Sequence, residues 1–277
     1  MGKRLLSSVF LTCLALPAFA ADLTVTYQIK EGKKVQGEKT IYWTEQFHLE
    51  RDTSTKIDVL SDYAKGVVYT IDHGKKQVEA MNYQAMTGMM GGAQQMMGEM
   101  MNRPGTKGDK NMGEGLQKRM NEYLGDPDQA VLQKLGTLTI AGRTCDNYKV
   151  ERKGKRVEMS EEVCVDPTLV PPKKTTPEIE AMQAAAQGMG ETLGAFQSAG
   201  QKELAALPGL PLRRINTSKM KMLFGGGKRL MDEEAIAVKE GPIDPAVFQL
   251  PAGYKQIDQA QELQEQMQEM QKMMGGH

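Results

Sequence analysis

Sulfur is the element that could do chemistry in this chain. Methionine accounts for 21 of 277 residues, whereas aromatic residues make up only 5%. A thioether is a soft ligand suited to Cu(I) or Ag(I). Met96 and Met97 with Met100 and Met101 would place several sulfurs on one helical turn, as would Met267, Met270, Met273 and Met274 with His277. That spacing describes a methionine-rich metal-binding protein. The same side chains are also flexible apolar filler, and their recurrence every three or four residues is what a helix needs to cover a sheet or grip varied apolar ligands. On this second reading, which is preferred, Met86, Met90, Met97, Met101, Met182, Met189, Leu193 and Phe196 line a hydrophobic site.

Catalytic constellations are absent from the pattern. His48, His73 and His277 are scattered, and the chain has no Cys-x-x-Cys, no paired histidines at zinc spacing and no Gly-rich phosphate loop following a strand. The glycine run 225–227 reads as a turn, and Glu161-Glu162 as solvated charge. The expectation is a protein that is not an enzyme and needs no cofactor.

The remaining chemistry is oxidative. Lys3 and Arg4, the apolar stretch Leu5 to Leu16 and the small-x-small end Ala18-Phe19-Ala20 describe a secretory signal peptide over residues 1–20, cleaved at Ala20-Ala21. Cys13 would leave with it, since Thr12 stands where a lipoprotein signal needs Gly or Ala. Periplasmic or secreted localisation then makes a Cys145–Cys164 disulfide the default. Strand-forming runs Arg143 to Arg152 and Arg156 to Val165 flank Lys153-Gly154-Lys155. A reversal at Gly154-Lys155 sets the cysteines opposite each other, and the bridge is worth roughly 3 kcal/mol on a chain-entropy argument. Lys+Arg and Asp+Glu balance at 35 each without a basic face, which argues against nucleic acid or an anionic bilayer as partner. No second apolar run is long enough to span a membrane.

Short strands must position these residues. Leu23, Val25, Tyr27 and Ile29 alternate, a Gly32 turn follows, and Thr40 to Trp43, Phe47 to Glu50, Ile57 to Leu60, Val67 to Ile71 and Gln77 to Met81 continue as a meander. From Tyr83 the period turns helical, weakened by Gly88, Gly91, Gly92 and Gly98. A loop is predicted from Asn102 to Gly115, and short helices at Gly115 to Leu124 and Asp126 to Leu135. Strand returns at Thr137 to Ile140. The longest helix is predicted from Thr176, with Ile179, Met182, Ala186, Met189, Leu193 and Phe196 as its apolar stripe. Strands at Leu212 to Met222 and Lys228 to Val238 follow, then a turn at Asp244 to Pro251 and a terminal helix from Gln259 to Met274 marked by Leu263, Met267, Met270 and Met274. No internal repeat at a fixed period is evident.

Four stretches carry a resemblance: Tyr69-Thr70-Ile71-Asp72 with Gly74-Lys75-Lys76, Gly142-Arg143-Thr144-Cys145 running to Tyr148, Val163-Cys164-Val165-Asp166, and Phe248-Gln249-Leu250-Pro251-Ala252-Gly253-Tyr254. They resemble a secreted bacterial family catalogued only as a domain of unknown function. The resemblance implies a twisted antiparallel half-barrel closed by helices, distantly similar in fold to the LolA and LolB lipoprotein carriers, whose hollow accommodates acyl chains. The combined expectation is an α+β fold, an antiparallel half-barrel sheet with amphipathic helices packed on its concave face. It would be a single domain over residues 21–258, with a Met-rich helical insertion at 84–124 and a C-terminal amphipathic helix and tail at 259–277. Its function would be to bind a lipid, an acyl chain or an apolar protein segment; a structural or partner-docking module without a small ligand is the further alternative.

Overall fold

Alternating side chains build nearly everything that is seen. A computed structural model describes residues 21–102, 112–124, 129–172, 176–182, 184, 199–220 and 227–259. Its strands are β1 (Leu23–Glu31), β2 (Lys34–Trp43), β3 (Phe47–Asp52), β4 (Ile57–Asp62), β5 (Val67–Asp72), β6 (Gln77–Asn82), β7 (Leu132–Ile140), β8 (Arg143–Lys153), β9 (Val157–Asp166), β10 (Leu210–Met220), β11 (Gly227–Glu240) and β12 (Lys255–Asp258). Helices α1 (Tyr83–Met101), α2 (Met112–Leu124) and α3 (Ala199–Ala205), and a 3-10 turn at Pro245–Phe248, complete the named elements. The strands form one twelve-stranded sheet in the order β12-β6-β5-β4-β3-β2-β1-β11-β10-β9-β8-β7. Its pairings are antiparallel except for β12 against β6, which is parallel.

The expected α+β half-barrel with helices packed on its concave face is therefore corrected: the fold is a sheet-dominated, open-ended mixed sheet. The reason lies in who supplies the core. One cluster joins Leu23, Val25, Tyr27, Ile41, Ile140, Leu210, Leu212, Leu169 and the two cysteines. These are strand residues plus one loop leucine. The sheet can bury them by itself because it splays. At Arg213 β10 parts from β11, so that Leu210 and Pro211 pair with β9 while Ala235 to Glu240 pair with β1. Register breaks on either side of the split let the two flaps close on each other. The second cluster, around Leu49, Leu60, Ile71 and Val78, is sealed by Phe248 from the C-terminal segment. In the third, Leu204 of the short α3 covers Val150, Val163 and Val165.

The meander contains a repeat that the sequence reading missed. Aligned at a spacing of ten, FHLERDTSTK, IDVLSDYAKG and VVYTIDHGKK each give six strand residues and a four-residue turn. Each strand ends on an aspartate whose Oδ1 accepts turn N–H groups: Asp52 from Ser54 and Thr55, Asp62 from Ala64 and Lys65, Asp72 from Lys75. Each turn closes on a residue with positive φ: Lys56 at 59°, Gly66 at 64° and Lys76 at 53°. Asn82 holds the fourth equivalent place. Its Oδ1 accepts from the Ala85 N–H at 2.7 Å, and the capped chain continues as a helix. The repeat is hidden because the strand positions vary freely as long as alternate ones stay apolar.

Two further local readings change. Leu132 to Leu135 belongs to β7 and not to a helix, since Ala130 and Leu132 join the apolar cluster with Val150 and Leu204. Residues 112–115, read as loop, already belong to α2. Thr176 caps a helical stretch over 177–182 as expected, its Oγ1 accepting from Ile179 N–H at 3.3 Å. The rest of that expected helix, residues 185–198, lies outside the described residues, as does residues 260–277 of the terminal one.

Candidate docking face

The disulfide anchors one end of the molecule. Cys145 and Cys164 are bonded with their Cα atoms 5.4 Å apart. The hairpin reverses one residue later than expected, around Lys155-Arg156, with Gly154 N–H bonded to the Val157 carbonyl at 2.8 Å. Cys164 therefore pairs in register with Asn147, and the bridge runs diagonally between the strands. Next to it, Arg143 donates from Nε to Asp166 Oδ2 at 2.7 Å and from Nη1 to Glu240 at 2.8 Å. Asp166 Oδ1 also takes the Thr168 hydroxyl and backbone N–H. Burial alone would raise the Asp166 carboxyl, but the Thr168 hydroxyl and the Arg143 guanidinium outweigh it and hold the group below the ordinary range. The Gly142-to-Cys145 and Cys164-to-Asp166 motifs are thus a structural corner.

A cleft opens farther along the same strands. Its volume is about 370 Å³, and Val150, Met159 and Met231 give it apolar walls. Asn216, Ser218 and Gln201 of α3 add polar atoms, while Arg152, Glu161 and Arg229 bring charge to the lining. Cross-strand pairing carries this face across the sheet: Glu161 is paired with Asn216, Asn216 with Met231, and Met231 with Glu31. Ion pairs cross the middle, Arg214 to Glu161 at 3.4 Å, Lys39 to Glu233 at 2.8 Å and Lys39 to Glu50 at 3.9 Å. Lys39 also lies over the Tyr27 ring, and the buried Tyr27 hydroxyl donates to the Pro211 carbonyl at 2.8 Å. Burial, then the nearby Glu233 charge, pushes that phenol well above its ordinary range, so it stays a donor.

Beyond Lys39 the face becomes more apolar. Trp43 pairs with His48, His48 with Ser61, Ser61 with Val68 and Val68 with Met81, all on one side. Trp43 and His48 stack at 5.5 Å with a 17° interplanar angle, and burial lowers the His48 imidazole below its usual range. Val59, in the adjoining row, is 37% exposed. The opposite side of the meander is closed: Phe248 stacks on Phe47 at 4.8 Å and meets Tyr42 edge-on at 6.4 Å. Hence, among the described residues, one face of β2–β6 is core and the other is a half-exposed, partly apolar floor.

The helical insertion is tied to this open face at both ends. Tyr83, at the start of α1, is buried and hydrogen-bonded to Ser61; burial pushes its phenol up to about 12. At the far end of α2, Glu122 pairs with Lys155 at 2.9 Å and Asn121 Oδ1 accepts from Arg152 at 3.4 Å, beside the cleft. The insertion thus leaves the sheet at β6 and returns to it at the β8–β9 tip, like a strap. Between these ties α1 is weakly covered: Met86 and Met90 are half-buried, Met89 is exposed and Met96 is 70% exposed.

One arrangement has the outline of a catalytic relay. Asp58 Oδ2 lies 3.1 Å from His73 Nε2, and His73 Nδ1 lies 3.0 Å from the Tyr254 hydroxyl. Arg51 pairs with the same carboxylate at 3.3 Å and donates to the Val247 carbonyl at 2.8 Å. These contacts tie the 243–254 segment to β3, β4 and the turn after β5. Its geometry serves as a clasp.

The predicted site residues are only partly in view. Met86, Met90 and Met182 are half-buried, the first two on the strap. The side chains of Met97, Met100 and Met101 lie outside the described set, as do residues Met189, Leu193, Phe196, Met267, Met270, Met273, Met274 and His277. The cleft itself uses Met159 and Met231, which helical periodicity could not find because they alternate with polar neighbours in strands. Among the described residues, no three His, Cys, Asp or Glu side chains gather as a metal-binding group, and no helix is long and apolar enough to cross a membrane.

No protein-family model matches this chain, and no curated protein matches it. Among solved structures it is similar to MucB in complex with MucA(peri), at 10% identity and a TM-score of 0.35 over 86% of this chain and 57% of that one. The Pseudomonas aeruginosa MucA/MucB complex gives 10% identity and 0.35, over 86% and 58%. MucB alone gives 11% and 0.35, over 86% and 60%. The chain thus spans less than two thirds of the MucB chains it resembles.

Proposed function

We propose that this chain is a non-enzymatic binding protein of the bacterial cell envelope, whose open sheet face holds an apolar segment of a partner protein. The observation that supports it is the pairing of the Met159–Met231 cleft with the half-buried Trp43–Val68 floor on one side of the sheet, while the reverse of the meander is sealed. The Cys145–Cys164 bridge supports an oxidising compartment, in keeping with the leader-like residues 1–20.

A protein segment fits this face better than an acyl chain. Apolar ground alternates with fixed charges at Arg214, Glu161, Lys39 and Glu233, and an extended peptide can pair its own polar groups with them. An acyl chain would have to desolvate those ion pairs without replacing their contacts. The test is site-specific photocrosslinking in the envelope, with the probe at Met231 or Val68 and a control at Gln249, which is exposed in the segment that seals the reverse side. Adducts at the first two positions that vanish in a Met159→Arg variant, and at Val68 also in a Met231→Arg variant, are expected. Equal adducts from the control, or stoichiometric lipid released in native mass spectrometry with no protein adduct, would replace this reading.

A further inference from the structure

The strands that wall the cleft carry a second hollow on their other side. Val150 and Arg152 face the cleft, so Lys149, Glu151 and Lys153, which alternate with them along β8, face away from it. In register, Glu151 lies beside Ser160 and Ser160 beside Thr217. In the next row Lys153 lies beside Glu158, Glu158 beside Lys219, and Lys219 beside Lys228. With Lys149 these residues bound a depression of about 380 Å³. No stretch of sequence shows the patch, because its lysines come from three strands, β8, β10 and β11.

The charges in this hollow do not balance. The ammonium groups of Lys149, Lys153, Lys219 and Lys228 meet only two carboxylates, Glu151 and Glu158. Glu151 is shared by Lys149 and Lys153, and Glu158 lies 3.6 Å from Lys219. The hydrogen bond from Lys149 outweighs burial and holds the Glu151 carboxyl below its ordinary range, so Glu151 is a full negative charge. Lys228 stands directly across the ladder from Lys219, and among the described residues no carboxylate pairs with it. Like charges set opposite each other destabilise a sheet. Two positive charges are therefore left over, beside the Ser160 and Thr217 hydroxyls, which no described side chain engages. That surplus matches one phosphate monoester, which carries about −1.5 to −2 charges at neutral pH and several strong acceptor oxygens.

We propose that this hollow binds a phosphate group, which lies between Lys219 and Lys228, offsets their repulsion, and takes further donors from Lys149, Lys153 and the two hydroxyls. A soluble phosphorylated molecule and a phospholipid headgroup share this chemistry, and the experiment separates them. The site is on the reverse of the cleft, so it stands whether or not the cleft holds a protein segment.

The test follows amide resonances of the isotope-labelled full chain, disulfide intact, as inorganic phosphate is added at constant ionic strength. Saturable shifts at Ser160, Thr217 and Lys228 are expected, with none at Lys255 on the edge strand β12. Lys219→Gln with Lys228→Gln should weaken binding roughly tenfold or more. Glu158→Gln should instead tighten it several-fold, because it removes a carboxylate that repels the anion, and Lys255→Gln should change nothing. A second arm sediments the chain with phosphatidylcholine vesicles, with and without phosphatidic acid. Co-sedimentation that requires phosphatidic acid and is lost in the double lysine variant assigns the phosphate to a lipid headgroup; saturable phosphate binding without co-sedimentation assigns it to a soluble ligand. Absence of both overturns the proposal, and so does weaker binding in Glu158→Gln or an equal loss in Lys255→Gln.

Discussion

Phe248 is the test of whether the C-terminal segment is structure or appendage. Its ring is buried against Leu49, Leu60, Ile71 and Val78, stacked on Phe47 and edge-on to Tyr42. Phe248→Ala removes the group that closes the meander's inner face. Because sheet strands cannot move inward without breaking their ladders, the space would stay largely unfilled, at a cost of about 3–5 kcal/mol. In a chain of this size that lowers the thermal midpoint by roughly 10 °C or more. Urea unfolding followed by far-ultraviolet circular dichroism would give the loss as a shift in midpoint at constant slope. A double-mutant cycle with Phe47→Ala should show coupling of about 0.5–1.5 kcal/mol from the stacked rings. A loss below about 1 kcal/mol, or no coupling, would mean that the segment does not seal the sheet, and the distinction between a closed and an open face would fall with it.

Other expectations follow from single contacts. Cys145→Ser with Cys164→Ser should cost about 2–4 kcal/mol, seen equally when the native protein is unfolded with and without reductant. Gly209→Ala should be more harmful than its size suggests, on the order of 3 kcal/mol: φ is +104°, and the new Cβ would lie 2.2 Å from the Asp166 carbonyl oxygen. Asp166 binds fewer protons in the folded state than in the unfolded one, so its stabilisation is complete above its unfolded pKa and lost as pH falls through the depressed folded value. Asp166→Asn should flatten that acid limb in unfolding curves taken at successive pH values. Among the repeated turn aspartates, Asp62→Ala should cost most, about 1–3 kcal/mol, because Asp62 is 2% exposed and its loss strands two N–H groups; Asp52→Ala and Asp72→Ala in equilibrium unfolding should cost less.

The sequence alone determined what depends on neighbours along the chain. Alternation at Leu23 to Ile29 gave β1, the spacing of turn residues gave the meander, and the cysteine runs gave the disulfide hairpin, because a strand's two faces and a tight turn are local matters. It also marked Tyr83 as the point where strand becomes helix, where Asn82 caps. The tertiary structure decided which surfaces are buried. Periodicity reports that Met86 and Met90 share a side of a helix, but not what faces that side. Likewise nothing local tells that Phe248 closes one side of the meander, or that β10 parts from β11 so that, among the described residues, strand flaps bury Leu23 and Leu212. Met159 and Met231 come together only through the long-range register of β9, β10 and β11. Such pairings join residues far apart in the chain, and their free energy resides in contacts that no stretch of sequence contains.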